Sequence, residues 1–411
     1  MISYEYFLKK EGLIVNWKVV LAVLTGNVIF MASSYTMLIP FLPMYLTHEL
    51  GVPFEDVNLW SGAVFSASFI VSAIMTPIWG RLADTRGKRL MAIRASLLLS
   101  VSYFLGGVVT SPLELVGMRT FQGFAAGLWP MDLAIMTLYA PPDKLGVCLG
   151  VMQSAMTAGG VIGPLLGGVL AEAFGMRASF FVASAALMLN CIVFIFVIKE
   201  PPDPSRKEAA DRKKDAPSAF ALLRVPVLRT LLFSSATMQM VILILQPIMT
   251  TYITTLAGDL PNIIFVSGLI FSLGGFAGVI AAPGWGWFGQ HKGYLLAASI
   301  AIPLAGVGLF IQGSVTNLYV YGAMQFVCGL FFCGVHPSLN ALLAKNTAPS
   351  VKGSIFGLMF AAQQIGSILG PVLGGTVATW LGMKYVFYVA GLVLFSLAIF
   401  LRSHKKLIEG T

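Results

Sequence analysis

Charged residues are scarce in this sequence of 411 residues, because Asp, Glu, Lys and Arg together make up 10% of it. Hydrophobic residues make up 57%, and the mean hydropathy is +0.85. Both values lie far outside the range of soluble globular domains. The composition therefore excludes a soluble protein and indicates one that is embedded in a membrane.

Cysteines and catalytic motifs are also scarce. The four cysteines include no CxxC pair, so the sequence indicates neither a disulfide framework nor a metal site. The chain contains no HExxH sequence, no plausible Ser/His dyad and no phosphate-binding P-loop. These absences argue against an intramembrane enzyme and an ATP-driven pump, and we predict that the protein is not an enzyme.

Long apolar runs dominate what is present. A membrane-crossing helix needs about 20 apolar residues, and the sequence offers twelve such runs, which predict an all-α membrane protein with twelve transmembrane helices. The first run is long enough to span and follows a charged stretch, so no cleavable signal peptide is predicted. The predicted spans are 17–46, 59–79, 90–110, 113–139, 146–173, 177–198, 228–256, 262–288, 293–312, 317–344, 352–380 and 384–402.

The net charge of +9 follows the predicted topology. With the amino terminus in the cytoplasm, nearly all Lys and Arg between spans fall on the cytoplasmic side, and only Arg177 and Lys384 fall outside. This asymmetry is the positive-inside rule, and it predicts that both termini are cytoplasmic. The basic balance therefore needs no nucleic acid partner.

A polar segment divides the chain. Residues 199–220 are rich in Pro, Lys, Arg, Asp and Glu and cannot bury enough surface to fold alone. We therefore predict an amino-terminal six-helix bundle over 1–198, a cytoplasmic linker over 199–226 and a carboxy-terminal six-helix bundle over 227–411. The bundles share sequence at an offset of 207, which places Gly163-Pro164 on Gly370-Pro371. This duplication predicts two pseudo-symmetric units related by an axis along the membrane normal.

Three motifs resemble those of a known family. The stretch GRLADTRGKR, residues 80–89, resembles the signature loop between the second and third helices of the major facilitator superfamily (MFS), and RTFQG, residues 119–123, is similar to its fourth-helix motif. Over essentially the whole chain, the sequence resembles bacterial multidrug-resistance proteins of the MdtG type. The fifth span resembles the antiporter motif of the twelve-span drug:proton exporters at Gly150, Gly159, Gly163, Pro164, Gly167 and Gly168.

The first motif combines glycines with charge at the membrane face. We expect a very short cytoplasmic turn, in which glycine permits a tight reversal and partial desolvation strengthens the ion pairs of Asp84. The pattern predicts a latch for one of two transport states, a role that the resemblance also implies, or else a topology anchor only. In the second half Gln290 replaces Asp84, so no equivalent acidic latch is expected. The motif residues are Gly80, Arg81, Asp84, Arg86, Gly87, Lys88 and Arg89.

Titratable residues inside spans are costly and indicate function. The resemblance implies that Arg119 takes part in proton coupling or binding. Asp132 lies about 220° from Arg119 around a continuous helix, so the two are not expected to pair unless Pro130 kinks the span. Asp132 is then a gate partner of the basic loop, a proton carrier or incidental. His336 titrates near neutral pH in water and suits proton exchange, or is an ordinary packed histidine.

The antiporter glycines recur every three or four residues and so share one helix face. Such a face lets helices approach closely and slide, or it serves tight static packing. The resemblance further implies that the first, fourth, seventh and tenth spans line the central cavity. Methionines, aromatics and amides in these spans suit varied apolar ligands, although they could be ordinary core. The candidates are Asn27, Met31, Tyr35, Trp129, Gln239, Gln246, Met249, Gln325, Phe332 and Asn340.

These features predict a proton-coupled exporter of small amphipathic organic compounds, working by alternating access in a bacterial inner membrane. The expected partners are protons, the substrate and the lipid bilayer; the protein is expected to be a monomer and to use a proton gradient without a cofactor. Arg119 without an acid in the first span favours neutral or anionic compounds over cations. The alternatives are export of an endogenous anionic metabolite such as a siderophore, nutrient uptake, and a membrane scaffold.

Overall fold

The computed structural model describes residues 17–141, 143–199, 222–258, 260, 262–347 and 352–409. These residues are almost entirely helical, and none of them forms a β-strand. Twelve spans follow one another, and a short helix, Lys405–Glu409, comes after the last. In chain order the spans are Trp17–Glu49, Val57–Arg86, Lys88–Val108, the pair Pro112–Phe124 and Leu128–Tyr139, Leu145–Phe174, Met176–Phe196, Pro226–Ala257, Ile263–Lys292, Tyr294–Ser314, Leu318–Lys345, Lys352–Trp380 and Met383–Ser403.

The first and seventh spans are composite. In the first, the helix Trp17–Met37 continues through short 3₁₀, α and π turns to Glu49, around Pro40 and Pro43. In the seventh, turns at residues 245–248 separate Pro226–Ile244 from Met249–Ala257. Most of the predicted linker, residues 200–221, lies outside the described residues.

The turn between the second and third spans is shorter than the sequence predicts. The second helix continues through the charged motif to Arg86, and Gly87 alone, at a φ of 108°, separates it from the helix that begins at Lys88. Gly293, at a φ of 102°, does the same in the second half. Hydropathy marks only the apolar length of a span, whereas the helix extends beyond it into polar residues.

The fourth span also differs from the expectation of one helix over 113–139. The helix that begins at Pro112 ends at Phe124, and the next begins at Leu128. The break lies at Ala125–Gly127 and not at Pro130, which lies in the first turn of the second segment. The residues at the break are small and apolar, so a hydropathy profile does not distinguish them from the helices on either side. Eleven of the helical spans in the described ranges are individually long and apolar enough to cross a membrane, and the fourth consists of two shorter helices.

The two halves repeat one another in three dimensions. The rings of Tyr45 and Phe180 lie 5.0 Å apart, and those of Tyr252 and Phe387 also lie 5.0 Å apart, with interplanar angles of 50° and 49°. Each tyrosine hydroxyl donates to a carbonyl oxygen of the span after next, that of Tyr45 to Gly106 at 2.8 Å. The bundles are therefore two copies of one packing scheme.

The halves meet at a symmetric interface. Ser66 in the second span donates to the carbonyl oxygen of Ile368 in the eleventh at 2.9 Å, and Ser272 in the eighth donates to that of Val161 in the fifth at 2.7 Å. Close backbone contacts accompany both bonds, because a Cβ at Gly62 would overlap the carbonyl group of Pro371 and a Cβ at Gly268 would overlap that of Pro164. We call this end of the interface the packed end.

The opposite end of the bundle contains the charged motif. A Cβ at Gly80, Gly150 or Gly286 would meet no atom of the described residues within 4 Å outside its own helix. Glycines that are related in sequence therefore share the same surroundings, which are tight at the packed end and open at the opposite end.

Candidate functional site

The charged motif lies where the second and fourth spans approach each other. A cavity of about 350 Å³ lies there, and residues of both spans line it. Arg81, Asp84 and Arg86 are exposed, whereas Lys88 and Arg89 are half-buried. Arg89 donates through Nε to the carbonyl oxygen of Phe194 at 3.0 Å and so satisfies the end of the sixth span. The cavity is lined by Pro77, Gly80, Arg81, Ala83, Asp84, Lys88, Met131 and Ala134.

Arg119 is buried, with 2% of its surface exposed, in the first segment of the fourth span. Its Nη1 donates to Oε1 of Gln122 at 2.8 Å, one turn further along. Its Nε and Nη2 are buried and have no hydrogen-bond partner among the described residues. The guanidinium carbon lies 5.6 Å from the centre of the Phe65 ring, and Tyr35 and Tyr103 are close enough to interact with its charge. Two buried donors of a cation are thus available to an acceptor.

Gly123 in the same motif allows the fourth span to approach the second. A Cβ at this position would overlap the carbonyl oxygen of Ser68. Gly329 meets the carbonyl group of Gly274 in the same way in the second half. This repeat also places Arg119 on Gln325, whose Oε1 accepts from Gln312 at 2.8 Å. Equivalent positions of the two halves therefore hold a cation and an amide.

Asp132 is fully buried in the second segment of the fourth span, and neither carboxylate oxygen has a hydrogen-bond partner among the described residues. The break at Ala125–Gly127 separates it from Arg119, so the angle for a continuous helix does not apply. The two side chains nevertheless do not pair. Met131 and Ala134, its near neighbours in sequence, face the cavity at the charged motif.

A cluster that the sequence reasoning missed surrounds the break. Arg94 lies within the third span, six residues after its start at Lys88. Its Nη2 donates to the carbonyl oxygen of Ala126 at 2.9 Å, and its guanidinium carbon lies 3.7 Å from the centre of the Trp79 ring. Trp79 Nε1 donates to the carbonyl oxygen of Phe124 at 2.8 Å. An arginine four residues after the start of the predicted span 90–110 was the available signal.

His336 is half-buried in the tenth span, and its Nδ1 lies 3.5 Å from Nε2 of Gln363 in the eleventh. Among the cavity candidates, Tyr35 is exposed over 37% of its surface although it lies near the buried Arg119. Asn27, Met31 and Met249 are buried. The remaining candidates are half-buried: Trp129, Gln239, Gln246, Gln325, Phe332 and Asn340.

The antiporter-like glycines that make close contacts pack against two different spans, the first and the eighth. Gly159, Gly163 and Gly167 pack against the first span of the same half, where a Cβ would overlap backbone or side-chain atoms. Gly168 contacts the eighth span of the other half near Phe265. Gly150 meets nothing within 4 Å. The stripe thus serves packing within the half and contact between the halves.

Comparison with known proteins agrees with this architecture. The family model described as Major Facilitator Superfamily matches residues 24–371 and 266–407. The chain is 32% identical over 381 residues to the multidrug resistance protein MdtG of Proteus mirabilis, covering 92% of this chain and 94% of that protein. It is 32% identical over 385 residues to MdtG of Klebsiella pneumoniae, covering 93% and 92%.

Solved structures share the fold at low sequence identity. The nucleoside transporter NupG, as its D323A mutant, superimposes with a TM-score of 0.78 at 15% identity, covering 94% of this chain and 99% of that one. The human organic anion transporter MFSD10 gives a TM-score of 0.70 at 18% identity, again covering 94% and 99%. The described residues form two repeated bundles of membrane-spanning helices, and the family model and the MdtG relatives match nearly the whole length, so the chain is a multi-pass membrane transporter that belongs to the Major Facilitator Superfamily.

Proposed function

We propose that the protein is a proton-coupled exporter of small amphipathic organic compounds. The similarity to relatives named multidrug resistance proteins supports export. The single observation that supports proton coupling is that Arg119 and Asp132 are both buried in the fourth span, on separate segments, and do not pair with each other. Buried ionisable groups in membrane helices are expensive and mark ion or substrate routes.

Transport in this proposal follows from rocking of the two bundles. In the state described, the halves pack tightly at one end, and the glycines at the other end lie apart from any neighbour. Opening the packed end and closing the opposite end would expose the central residues to the other side of the membrane. Protons moving inward would drive the compound outward, with both termini in the cytoplasm, the protein a monomer in a bacterial inner membrane, and no cofactor.

Asp132 has two possible roles in this cycle. The cavity that joins its segment to the charged motif supports a gate partner, and its lack of a partner in this state supports a proton carrier. Asp132→Asn distinguishes them. If Asp132 carries the proton, the variant loses proton flux but retains exchange of substrate across the membrane. If it is a gate partner, both fluxes are lost.

A second candidate function is the export of an anionic metabolite. The free Nε and Nη2 donors of Arg119 support it, because a guanidinium binds a carboxylate or phosphate through two parallel hydrogen bonds. Tyr35 interacts with the charge of Arg119 and is partly exposed, so in this candidate it supplies a further hydroxyl near the arginine. If export of an anionic metabolite is the function, Arg119 selects the substrate.

Sealed proteoliposomes with an imposed pH gradient test both candidates. Internal pH and the movement of a panel of cationic, neutral and anionic compounds are followed for wild type, Arg119→Ala and Gln325→Ala. Proton flux that requires a compound supports antiport, and the charge of the active compounds decides between drug and anionic metabolite. Compound movement without proton flux contradicts coupling. The Gln325 variant is the matched control, since it removes the polar side chain at the equivalent position.

A further inference from the structure

The break in the fourth span frees backbone groups inside the membrane. Helix ends leave carbonyl groups without intrahelical donors, and an unpaired polar group in a membrane interior costs several kcal/mol by transfer scales. The carbonyl oxygens of Phe124 and Ala126 are of this kind. Gly127 follows in the left-handed region, at a φ of 114° and a ψ of 4°, where a side chain would add strain.

Two neighbouring spans supply the missing donors. Trp79 of the second span donates to Phe124, and Arg94 of the third span donates to Ala126 at 2.9 Å and approaches Phe124 at 3.5 Å. The indole ring also stacks against the guanidinium. Arg94 lies about 9 Å along its helix from Lys88, and its Nε is buried without a partner among the described residues. A cation in such a place is costly, which indicates a specific task.

The second half separates the contribution of Arg94 from that of the tryptophan. Trp285 donates to the carbonyl oxygen of Leu330 at 2.7 Å, which repeats the bond of Trp79. The tenth span nevertheless runs unbroken over Leu318–Lys345. The offset of 206 places Ile300 at the position of Arg94 and Cys333 at that of Gly127. The arginine, the glycine and the break thus occur together in the first half, and all three are absent from the equivalent positions of the described ninth and tenth spans.

We propose that Arg94 is a positioning residue. By donating to the carbonyl groups freed at the break, it fixes the segment that carries Asp132 separately from the segment that carries Arg119. Arg94 makes no hydrogen bond to the Asp132 carboxylate, so it acts through the backbone. The consequence for transport rests on the proposed function, because only there do Asp132 and Arg119 act in one cycle. The position of the segment can be tested without transport.

The test measures the reaction of Asp132 with a water-soluble carbodiimide and glycine ethyl ester in the purified full-length protein, by mass spectrometry of the peptide that contains it. In wild type the buried carboxyl group should react slowly. Arg94→Ala should raise the rate about fivefold or more, since a lost buried hydrogen bond shifts a local equilibrium by roughly that factor. Arg94→Lys keeps a cation without the planar fork and should give an intermediate rate.

The matched pair is Trp79→Phe and Trp285→Phe, each of which removes one indole bond. Only Trp79→Phe should accelerate the labelling of Asp132. Labelling of Arg94→Ala at the wild-type rate in folded protein overturns the proposal, and so does equal acceleration by the two tryptophan variants. If Arg94→Ala does not fold, the tryptophan pair still decides. If the protein proves not to couple transport to protons, the expected labelling rates stay the same. The proposed function and the proposed role of Arg94 can therefore be refuted independently.

Discussion

The hydroxyl of Thr251 in the seventh span donates a 2.9 Å hydrogen bond to Oδ1 of Asn58 in the second span, and both side chains are buried. The bond joins the two halves at the packed end. The sequence repeat places Thr251 on Met44 and Asn58 on Ile264. The symmetry-related position therefore holds two apolar residues, and the polar bond is specific to one side of the interface.

This bond should stabilise the state in which the packed end is closed. Thr251→Val keeps the side-chain shape but leaves Asn58 Oδ1 without its donor, which costs about 1 kcal/mol and should increase opening about fivefold. A single cysteine at the buried Ser267, with the native cysteines replaced, should then be alkylated faster. Thr254→Val is the control, because Thr254 bonds only within its own helix. An unchanged alkylation rate would refute the role of the bond.

Gly123 should be essential for packing. In Gly123→Ala the added methyl group meets the Ser68 carbonyl oxygen, a backbone atom that cannot move away cheaply. Overpacking of this kind costs about 1–3 kcal/mol, so the melting temperature in detergent should fall. Gly117→Ala in the same helix meets nothing and should melt at or above the wild-type temperature. Equal melting of the two variants would contradict the close approach.

Gly150 and Gly357 should matter for turnover more than for stability. They occupy equivalent positions and meet no described atom within 4 Å in this state. If the opposite end closes during transport, these glycines approach neighbouring helices in the other state. Gly150→Ala and Gly357→Ala should therefore melt at or above the wild-type temperature and transport more slowly, by about an order of magnitude if the clash costs ~1.4 kcal/mol.

Gly268→Ala is the contrasting variant, because its methyl group meets Pro164 in the present state. It should lower the melting temperature of the purified protein. Full transport activity in both Gly150→Ala and Gly357→Ala would argue against close approach at that end.

Asp84→Asn should impair transport in folded, membrane-inserted protein. The carboxylate lies at the cavity between the second and fourth spans, among Arg81 and Lys88, and the variant removes its charge while keeping its shape. Gln290→Ala alters the equivalent position in the second half and should transport like wild type. Wild-type transport rates in Asp84→Asn would show that the latch hypothesis is wrong.

The spans were predictable because each must contain an apolar run long enough to cross the bilayer, and hydropathy detects such runs. The predicted fifth span, 146–173, lies within one residue of the observed Leu145–Phe174 at each end. The duplication was also readable, since the aligned tyrosines Tyr45 and Tyr252 occupy matching ring pairs. Both signals depend on local composition and order, which a sequence displays directly.

The interior of the candidate site was less predictable. The break at Ala125–Gly127 has no signature in hydropathy, and Pro130, the visible helix breaker, lies where a helix tolerates proline. The partners of Arg94 come from two other spans, the second and the fourth. Contacts of that kind depend on which helix faces which, and periodicity within one span does not contain this information.

The sequence by itself therefore determined the number of spans, the duplication and the charged motif, because each depends on residues that are neighbours along the chain. Only the tertiary structure decided that Arg119 and Asp132 lie on separate segments, that the antiporter-like glycines face two different helices, and that one end of the molecule is packed. The physical reason is that burial, donor satisfaction and close backbone approach are set by neighbours that are distant in sequence. The residues on one helix face form a functional site only where a neighbouring helix packs against that face.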